Sequence, residues 1–148
     1  MRMTENELAE ILKLHEAYLA DCETGKIADL TDANLFGVSL LGANLPHAIL
    51  KGTILKRSLL MMANLENADL ENVNAKRAIL ENVCLKGANL KHAKLKGVNL
   101  CKSNLCGANL EDADLEDADL TGAVYDSSTI WPESFNPRKP QRKPRRIS

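Results

Sequence analysis

The chain has 148 residues, of which 45% are apolar, 3% aromatic and 26% charged, and its formal net charge is −1 at pH 7. This length predicts a single domain, and the scarcity of aromatic residues means that its core must be built from aliphatic side chains. The sequence lacks an apolar run of about 18 residues and begins with a polar, acidic segment, so we expect neither a transmembrane helix nor a signal segment.

Residues 1–27 are predicted to contain an amphipathic helix, from about residue 5 to residue 20. Thr4 and Glu7 have the spacing of a capping box, in which each side chain bonds the backbone N–H of the other residue. The residues that share the apolar face at helical spacing are Leu8, Ile11, Leu12, His15 and Leu19. We expect this helix to cover the N-terminal end of the structure that follows.

From residue 28 onward, a leucine recurs at every fifth position. The series occupies 20 consecutive positions from Leu30 to Tyr125, and 18 of these are Leu, with Ala75 as the interruption. The residue two places before each of them is small, and it is Ala at 13 of the 20 positions. A period of five fits neither the two-residue period of a strand nor the period of about 3.6 residues of a helix, so it predicts a repeat architecture.

The tandem pattern A(D/N)Lxx, seen as ADL at 28–30 and at 118–120, resembles the signature of the pentapeptide-repeat family. The resemblance extends over residues 28–127. The preceding HEAYL…GKIADLTDANL is similar to the lead-in of many bacterial members, which often have Trp at the position of Tyr18. The resemblance implies an all-β solenoid, a right-handed quadrilateral β-helix with one repeat per side, four repeats per coil and about five coils. It implies no single function.

Within each repeat, the central residue and the residue two places before it are expected to point inward, as alternate residues of an extended segment do. The second residue after the central one should form the corner, and seven of the eight glycines occupy that position. Gly and Asn tolerate the positive φ of a type II turn. Another turn type is expected at the four corners with long side chains: Arg57, Met62, Arg77 and Lys102.

The number of residues in one coil has weaker support from the residues themselves. A coil of twenty residues stacks charges of alternating sign on one side, namely Lys51, Glu71, Lys91 and Glu111. A coil of fifteen residues also produces some mixed stacks, so the charges leave both lengths open. The family resemblance favours twenty.

Proline and aromatic residues mark the end of the repeats. Residues 128–136 are predicted to form a C-terminal cap, whose apolar residues are Ile130, Trp131 and Phe135. Residues 137–148 are rich in proline and charge, and we expect them to be a disordered basic tail. The basic side chains of this tail are Arg138, Lys139, Arg142, Lys143, Arg145 and Arg146.

No combination of residues predicts catalysis or metal binding. The three histidines, His15, His47 and His92, are expected on the helix and at two separate corners. The cysteines lack the closely spaced pairs that bind zinc, and the glycines lie at corners rather than in a phosphate-binding loop. We expect a protein that is not an enzyme, with no metal, no cofactor and no small-molecule substrate. Because four cysteines are too few for a disulfide scaffold, we expect a cytoplasmic location.

Two surface features stand out when the residues are assigned to coils of twenty. The first is an apolar patch of outward residues, which suggests an interface: Phe36, Leu41, Leu59, Met61, Met62 and Ile79. The second is a basic stripe on the preceding side: Lys56, Arg57, Lys76, Arg77, Lys94 and Lys96. The stripe is compatible with an ordinary solvated side, or with a dock for an acidic partner surface or for phosphates.

These features favour a non-catalytic rod that acts as a protein-interaction module, with another protein or a second copy of the chain as partner, and without membrane binding. The resemblance implies an alternative, mimicry of duplex DNA to bind DNA gyrase, as in quinolone-resistance proteins. The basic stripe opposes that alternative, although residues 1–127 have a net charge of −6. A third alternative is weak, nonspecific nucleic-acid binding through the basic tail, because residues 128–148 have a net charge of +5 but no aromatic residues interleaved with the basic ones.

Overall fold

A computed structural model describes residues 2–138, in which helix α1, Glu5–Ala20, precedes a long solenoid. The side-chain oxygen of Thr4 accepts a hydrogen bond from the Glu7 N–H at 3.1 Å, and Glu7 Oε2 accepts one from the Thr4 N–H at 2.8 Å. The predicted capping box and the helix that it starts are therefore confirmed. Within the part of the chain that is described, no helix is long and apolar enough to cross a bilayer.

The solenoid is held together by parallel β-bridges between residues twenty apart. The stack of Asp29, Ile49 and Asp69 shows the pattern, which recurs as far as Asn104 and Val124. Throughout residues 2–138 these contacts are isolated bridges rather than longer strands. Pairing at twenty residues means that each coil contains four pentapeptides, and it excludes a coil of fifteen.

We number the four sides of the coil by their pentapeptides. Side 1 begins with residues 28–32, side 2 with 33–37, side 3 with 38–42 and side 4 with 43–47, and each recurs every twenty residues. The central residues from Leu30 to Leu115 and most of the small residues two places before them are buried together and form the core, and the last two central residues, Leu120 and Tyr125, are partly buried against it. The predicted inward positions are therefore confirmed.

From residues 28–32 to residues 118–122, each pentapeptide ends in a turn, and the last residue of the pentapeptide has a positive φ. The N–H that opens the next pentapeptide donates to the preceding central carbonyl, as from Ala33 to Leu30 at 3.0 Å. Gly supplies the positive φ at seven corners, and other residue types supply it at twelve. A positive φ at the third position of a hydrogen-bonded turn is type II geometry.

The prediction of another turn type at the four corners with long side chains is wrong. The φ angles of Arg57, Met62, Arg77 and Lys102 are 56°, 61°, 57° and 58°, close to those of the corner glycines. The pairing between coils imposes this conformation, because the Arg57 N–H donates to the Lys76 carbonyl at 3.1 Å in the way that a corner glycine does. Left-handed backbone geometry costs about 1–2 kcal/mol of conformational free energy for each such residue.

Short polar side chains stabilise the corners through hydrogen bonds to the backbone. Oδ1 of Asn34 accepts a hydrogen bond from the Phe36 N–H at 3.1 Å, and Oδ1 of Asn64 accepts one from the Glu66 N–H at 3.0 Å. The same bond recurs in many other repeats. The predicted role of Asn and Asp before the central residue is confirmed, since their side chains bond the adjacent corner backbone.

Helix α1 packs on the first coil. His15 is buried there, and its Nδ1 accepts a hydrogen bond from the Ala28 N–H at 2.9 Å. Gly25 lies so close to α1 that a Cβ at this position would overlap the helix backbone at Leu14. Gly25 is therefore required by a close approach, whereas the other glycines lie at corners.

The C-terminal end departs from the repeat by one residue. Asn109 pairs with Ile130, twenty-one residues later, because an additional residue separates the last two sides. The rings of Tyr125 and Trp131 lie 5.2 Å apart edge to face, and those of Trp131 and Phe135 lie 5.3 Å apart in a stack. These three rings pack against the C-terminal end of the core.

Candidate functional site

Side 3 carries the residues of the predicted apolar patch. Leu59 and Ile79 pair with each other in the wall, at the middle of the side. Leu41 and Met61 lie on neighbouring coils at its corner, where the Gly42 N–H donates to the Met61 carbonyl at 2.9 Å. The twenty-residue coil thus brings these residues together although they are far apart in sequence.

The exposure of the patch is uneven. Leu41 and Met62 are 56% and 62% exposed, and Phe36, at the margin, is 41% exposed. The remaining members, Leu59, Met61 and Ile79, are half-buried by their neighbours in the wall. The most accessible apolar surface therefore lies at the two corners of side 3 rather than at its middle.

The residues of the predicted basic stripe lie on side 2 and at its corner with side 3. The stacked positions of three successive coils hold Lys56, Lys76 and Lys96, and the corner positions beside them include Arg57 and Arg77. Lys96 pairs with a carboxylate, since its Nζ lies 3.4 Å from Glu116 Oε2. Among residues 2–138, five members of the stripe form no ion pair: Lys56, Arg57, Lys76, Arg77 and Lys94.

The corners with long side chains are confined to the two edges of side 3. Arg57 and Arg77 lie on the edge shared with side 2, and Met62 and Lys102 lie on the edge shared with side 4. At the described positive-φ corners that end sides 1 and 4, the residue is Gly, Asn, Asp or His. These residue types adopt a positive φ more readily than Arg, Lys or Met. Backbone strain therefore concentrates around one side of the solenoid.

The histidines of residues 2–138 lie in separate environments. Within residues 2–138, no group of three or more His, Cys, Asp or Glu is arranged to hold a metal ion. His15 is buried beneath α1, whereas His47 and His92 are exposed at separate corners. Burial, together with a hydrogen bond to Asp119, raises the pKa of the Cys101 thiol. A raised pKa keeps this thiol protonated, which disfavours nucleophilic chemistry.

A cleft between α1 and the first coil was not predicted from the sequence. It has a volume of about 660 Å³, and its lining includes Leu8 and Leu12 of α1 and Val38 of side 3. Arg2 also lines it and donates a hydrogen bond to the Phe36 carbonyl at 2.7 Å. The cleft depends on how α1 lies against the solenoid, and no local sequence pattern encodes that contact.

Two apolar residues near the C-terminal end are exposed. Val124 was missed, and Ile130, which was expected among the apolar residues of the C-terminal cap, is 50% exposed instead. Both take the outward position directly before a central one, so their register was the available signal. Of the predicted basic tail, Arg138 is exposed and its N–H donates to Asn136 Oδ1 at 2.9 Å. The other five basic residues of the tail lie outside the described residues.

The geometry of repeating pentapeptides agrees with comparison to known families. The family described as pentapeptide repeats matches residues 28–61, 62–91 and 84–122, with eight copies. The chain belongs to the pentapeptide-repeat family. The resemblance predicted from the sequence is thereby confirmed, and proteins of this family are generally non-catalytic repeat proteins.

Solved structures of other pentapeptide-repeat proteins resemble this one. The protein Rfr23 from the cyanobacterium Cyanothece 51142 is 36% identical, with a TM-score of 0.54, over 75% of this chain and 69% of that one. A pentapeptide-repeat protein from the thylakoid lumen of Arabidopsis thaliana is 28% identical, with a TM-score of 0.45, over 64% of this chain and 59% of that one. QnrB1, a plasmid-mediated fluoroquinolone resistance protein, is 15% identical, with a TM-score of 0.36, over 69% of this chain and 76% of that one. Comparison with curated proteins gave no match.

Proposed function

We propose that this pentapeptide-repeat protein is a non-catalytic rod, a right-handed quadrilateral β-helix of about five coils, that acts as a protein-interaction module. The binding surface is the apolar patch of side 3. The observation that carries the proposal is the exposure of Leu41 and Met62 beside the half-buried Leu59, Met61 and Ile79. We place the protein in the cytoplasm, in keeping with its four free thiols.

The patch residues lie outside the buried core, which supports a role in binding. Only the inward positions build the core, and the outward positions of side 1 are filled largely by polar and charged residues. Covering exposed apolar surface yields about 25 cal/mol for each Å² removed from water. A partner protein that covers side 3 would gain this free energy. If that partner is a second copy, a two-fold contact places Met61 and Met62 against their equivalents.

Mimicry of duplex DNA is the second candidate, and the last coil is the observation that favours it. Its carboxylates lie on sides 1 to 3: Glu111, Asp112, Asp114, Glu116, Asp117 and Asp119. Several of them already have partners, however, since Lys91 Nζ lies 3.5 Å from Glu111, Lys96 Nζ lies 3.4 Å from Glu116 and His92 Nδ1 lies 3.6 Å from Asp112. A mimic needs negative charge along its length, whereas the middle coils carry the basic stripe.

Weak nucleic-acid binding by the basic tail is the third candidate, and loss of binding with added salt would test it.

The test of the interaction module is the double variant Met61→Glu/Met62→Lys. We expect self-association, measured by light scattering, or the set of captured partner proteins to be lost. The melting temperature should stay near that of the parent, because neither residue is part of the core. The matched control is Asn67→Lys, which together with the native Glu66 gives the same pair of charges at the equivalent corner of side 4.

The control should associate as the parent does. A parent that is monomeric, with the same captured proteins for all three chains, would contradict the proposal. Inhibition of gyrase supercoiling by the parent, unchanged in the double variant, would favour DNA mimicry instead.

A further inference from the structure

We propose that side 3 binds an acidic, amphipathic α-helix of a partner protein. Its apolar residues would cover Leu59 and Ile79, and its carboxylates would pair with Arg57 and Arg77. This inference rests on the proposed function, and it adds the chemistry and the shape of the partner.

The first argument is the position of the strained corners. Arg57, Arg77, Met62 and Lys102 all adopt a positive φ that suits Gly or Asn better, and all four flank side 3. Nothing in the coil requires a long side chain at these corners, because Gly37, an equivalent corner, makes the same backbone bond to the next coil. Backbone strain of this kind clusters at ligand clamps and active sites. The strained residues therefore mark both edges of a binding surface.

The second argument is the charge along one of these edges. Lys56, Arg57, Lys76 and Arg77 lie on adjacent coils, and within residues 2–138 they form no ion pair. Stacked like charges are unfavourable in neighbouring strands. Carboxylates from a partner would lie between these cations and replace their mutual repulsion with attraction. Arg can bond a carboxylate through two parallel N–H groups.

The third argument is spacing. Successive coils lie about 4.8 Å apart, and one turn of an α-helix rises about 5.4 Å. A helix laid along the rod therefore presents about one residue per turn to each coil, so that acidic residues at i and i+4 reach Arg57 and Arg77. An extended strand repeats a side chain on one face only every 6.6 Å or so, which matches the coils less well. It also finds no free backbone on side 3, because the wall between the first and last coils is already paired.

The surface suits a protein better than a nucleic acid. The middle of side 3 is aliphatic, with Leu59 and Ile79 in place of aromatic rings on which bases could stack. The cations line mainly one edge, and residues 1–127 have a net charge of −6 that repels a long polyanion. A short acidic helix makes local ion pairs and covers the aliphatic strip at the same time.

The experiment selects binders from a display library of helix-forming peptides of about five turns, with randomised residues on one face. The parent is compared with Arg57→Asn/Arg77→Asn, which removes two charges and relieves strain at both corners. Asn72 already occupies a corner beneath His92, and Asn67 one beneath Gly87, so an Asn corner has a precedent beneath either kind of neighbour. The matched control is Lys26→Ser/Lys86→Ser, which removes two charges that lie away from side 3 and form no ion pair within residues 2–138.

We expect selected peptides to have Asp or Glu at i and i+4 beside a strip of Leu, Ile or Met. Their affinity should fall by about tenfold or more in the arginine variant and stay unchanged in the lysine control. The arginine variant should unfold at the same or a higher temperature than the parent, which separates lost binding from lost folding.

Selected peptides without acidic enrichment, or equal affinity for the parent and the arginine variant, would overturn the inference. Arginine-dependent binding of a duplex oligonucleotide or of phosphatidylserine vesicles in place of the peptides would also overturn it, in favour of a phosphate ligand. If Met61→Glu/Met62→Lys still abolishes association in either case, the proposed interaction module stands without this partner. If that variant changes nothing, both proposals fail.

Discussion

Sides 1 and 3 belong to the same coils and share one core, but their outward residues differ in kind. On side 1, Lys51 Nζ lies 3.3 Å from Glu71 Oε2, and Lys91 Nζ lies 3.5 Å from Glu111 Oε2. The hydrogen bond to Glu71 raises the pKa of Lys51. Side 3 instead carries aliphatic residues in its first coils, and Arg57 and Arg77 at its edge with side 2 form no ion pair within residues 2–138. Its corners include Arg, Lys and Met where side 1 has Gly, Asn, Asp and His.

This difference separates what the fold requires from what it merely tolerates. Side 1 satisfies each local preference, with ion pairs between coils and suitable residues at its corners. Side 3 departs from these preferences at Arg57, Met62, Arg77 and Lys102 while keeping the same buried leucines. The core does not account for these departures, because the residues concerned lie outside it.

The largest expected effect tests whether the two sides really share one core. Leu50→Ala on side 1 and Leu60→Ala on side 3 each remove a fully buried side chain. Both should lower the free energy of unfolding by about 3 kcal/mol, because each leaves a cavity in a packed interior. Urea unfolding followed by circular dichroism measures this. A much smaller loss for Leu60→Ala would mean that side 3 is loosely packed and that the comparison fails.

A smaller effect is expected when corner residues are exchanged between the sides. Arg57→Asn and Arg77→Asn should each raise the free energy of unfolding by about 1 kcal/mol, because Asn accepts a positive φ more easily. The reverse change on side 1, Asn72→Arg, should lower it by about the same amount. Thermal unfolding of the three variants and the parent, under the same conditions, measures these differences in stability. No gain from either arginine replacement would show that these corners are unstrained.

The smallest effect is local and concerns the start of side 1. Burial lowers the pKa of His15 from 6.5, and the nearby Pro46 carbonyl acts in the opposite direction. His15 Nδ1 accepts the Ala28 N–H, so protonation would place two donors against each other. Stability from the neutral imidazole is complete above pH 6.5 and is lost as the pH falls below it towards the lower pKa of the folded state.

The protection factor of the Ala28 amide, which is the exchange rate corrected for the intrinsic effect of pH, should therefore fall on acidification below pH 6.5, while that of Leu40 on side 3 stays unchanged. His15→Gln serves as the control, because the amide oxygen can accept a hydrogen bond but does not titrate in this range. An equal fall at both amides would indicate that acid loosens the whole first coil rather than its first side.

Much of the fold could be predicted because its signals are local. The capping box at Thr4 and Glu7 and the inward position of every fifth residue both follow from short-range spacing. The coil length could not be decided from the charges, since Lys51 and Glu71 allow mixed stacks at either period. It is set by backbone pairing between residues twenty apart, which the side chains reflect only indirectly.

The corners were mispredicted for a related reason. Arg57 and Arg77 have little intrinsic preference for a positive φ, so another turn type was expected. Their N–H groups are held by carbonyls of the next coil, and this pairing outweighs the local preference. For the candidate site, the register correctly assigned Leu41 and Met62 to the outside. It could not show the cleft beneath α1, which depends on how two separate elements dock.

The pairing of residues twenty apart also limits how the chain can change in length. Inserting one pentapeptide anywhere in the wall would leave every leucine inward, so the core would be conserved. It would also shift each later residue to the next side of the coil, and an insertion between Leu59 and Ile79 would separate these two neighbours. Only insertions or deletions of twenty residues leave both the interior and the pattern on each side in phase. Tandem duplication can thus lengthen such a rod in small steps without unfolding it, while a binding surface that spans several coils survives only whole-coil steps.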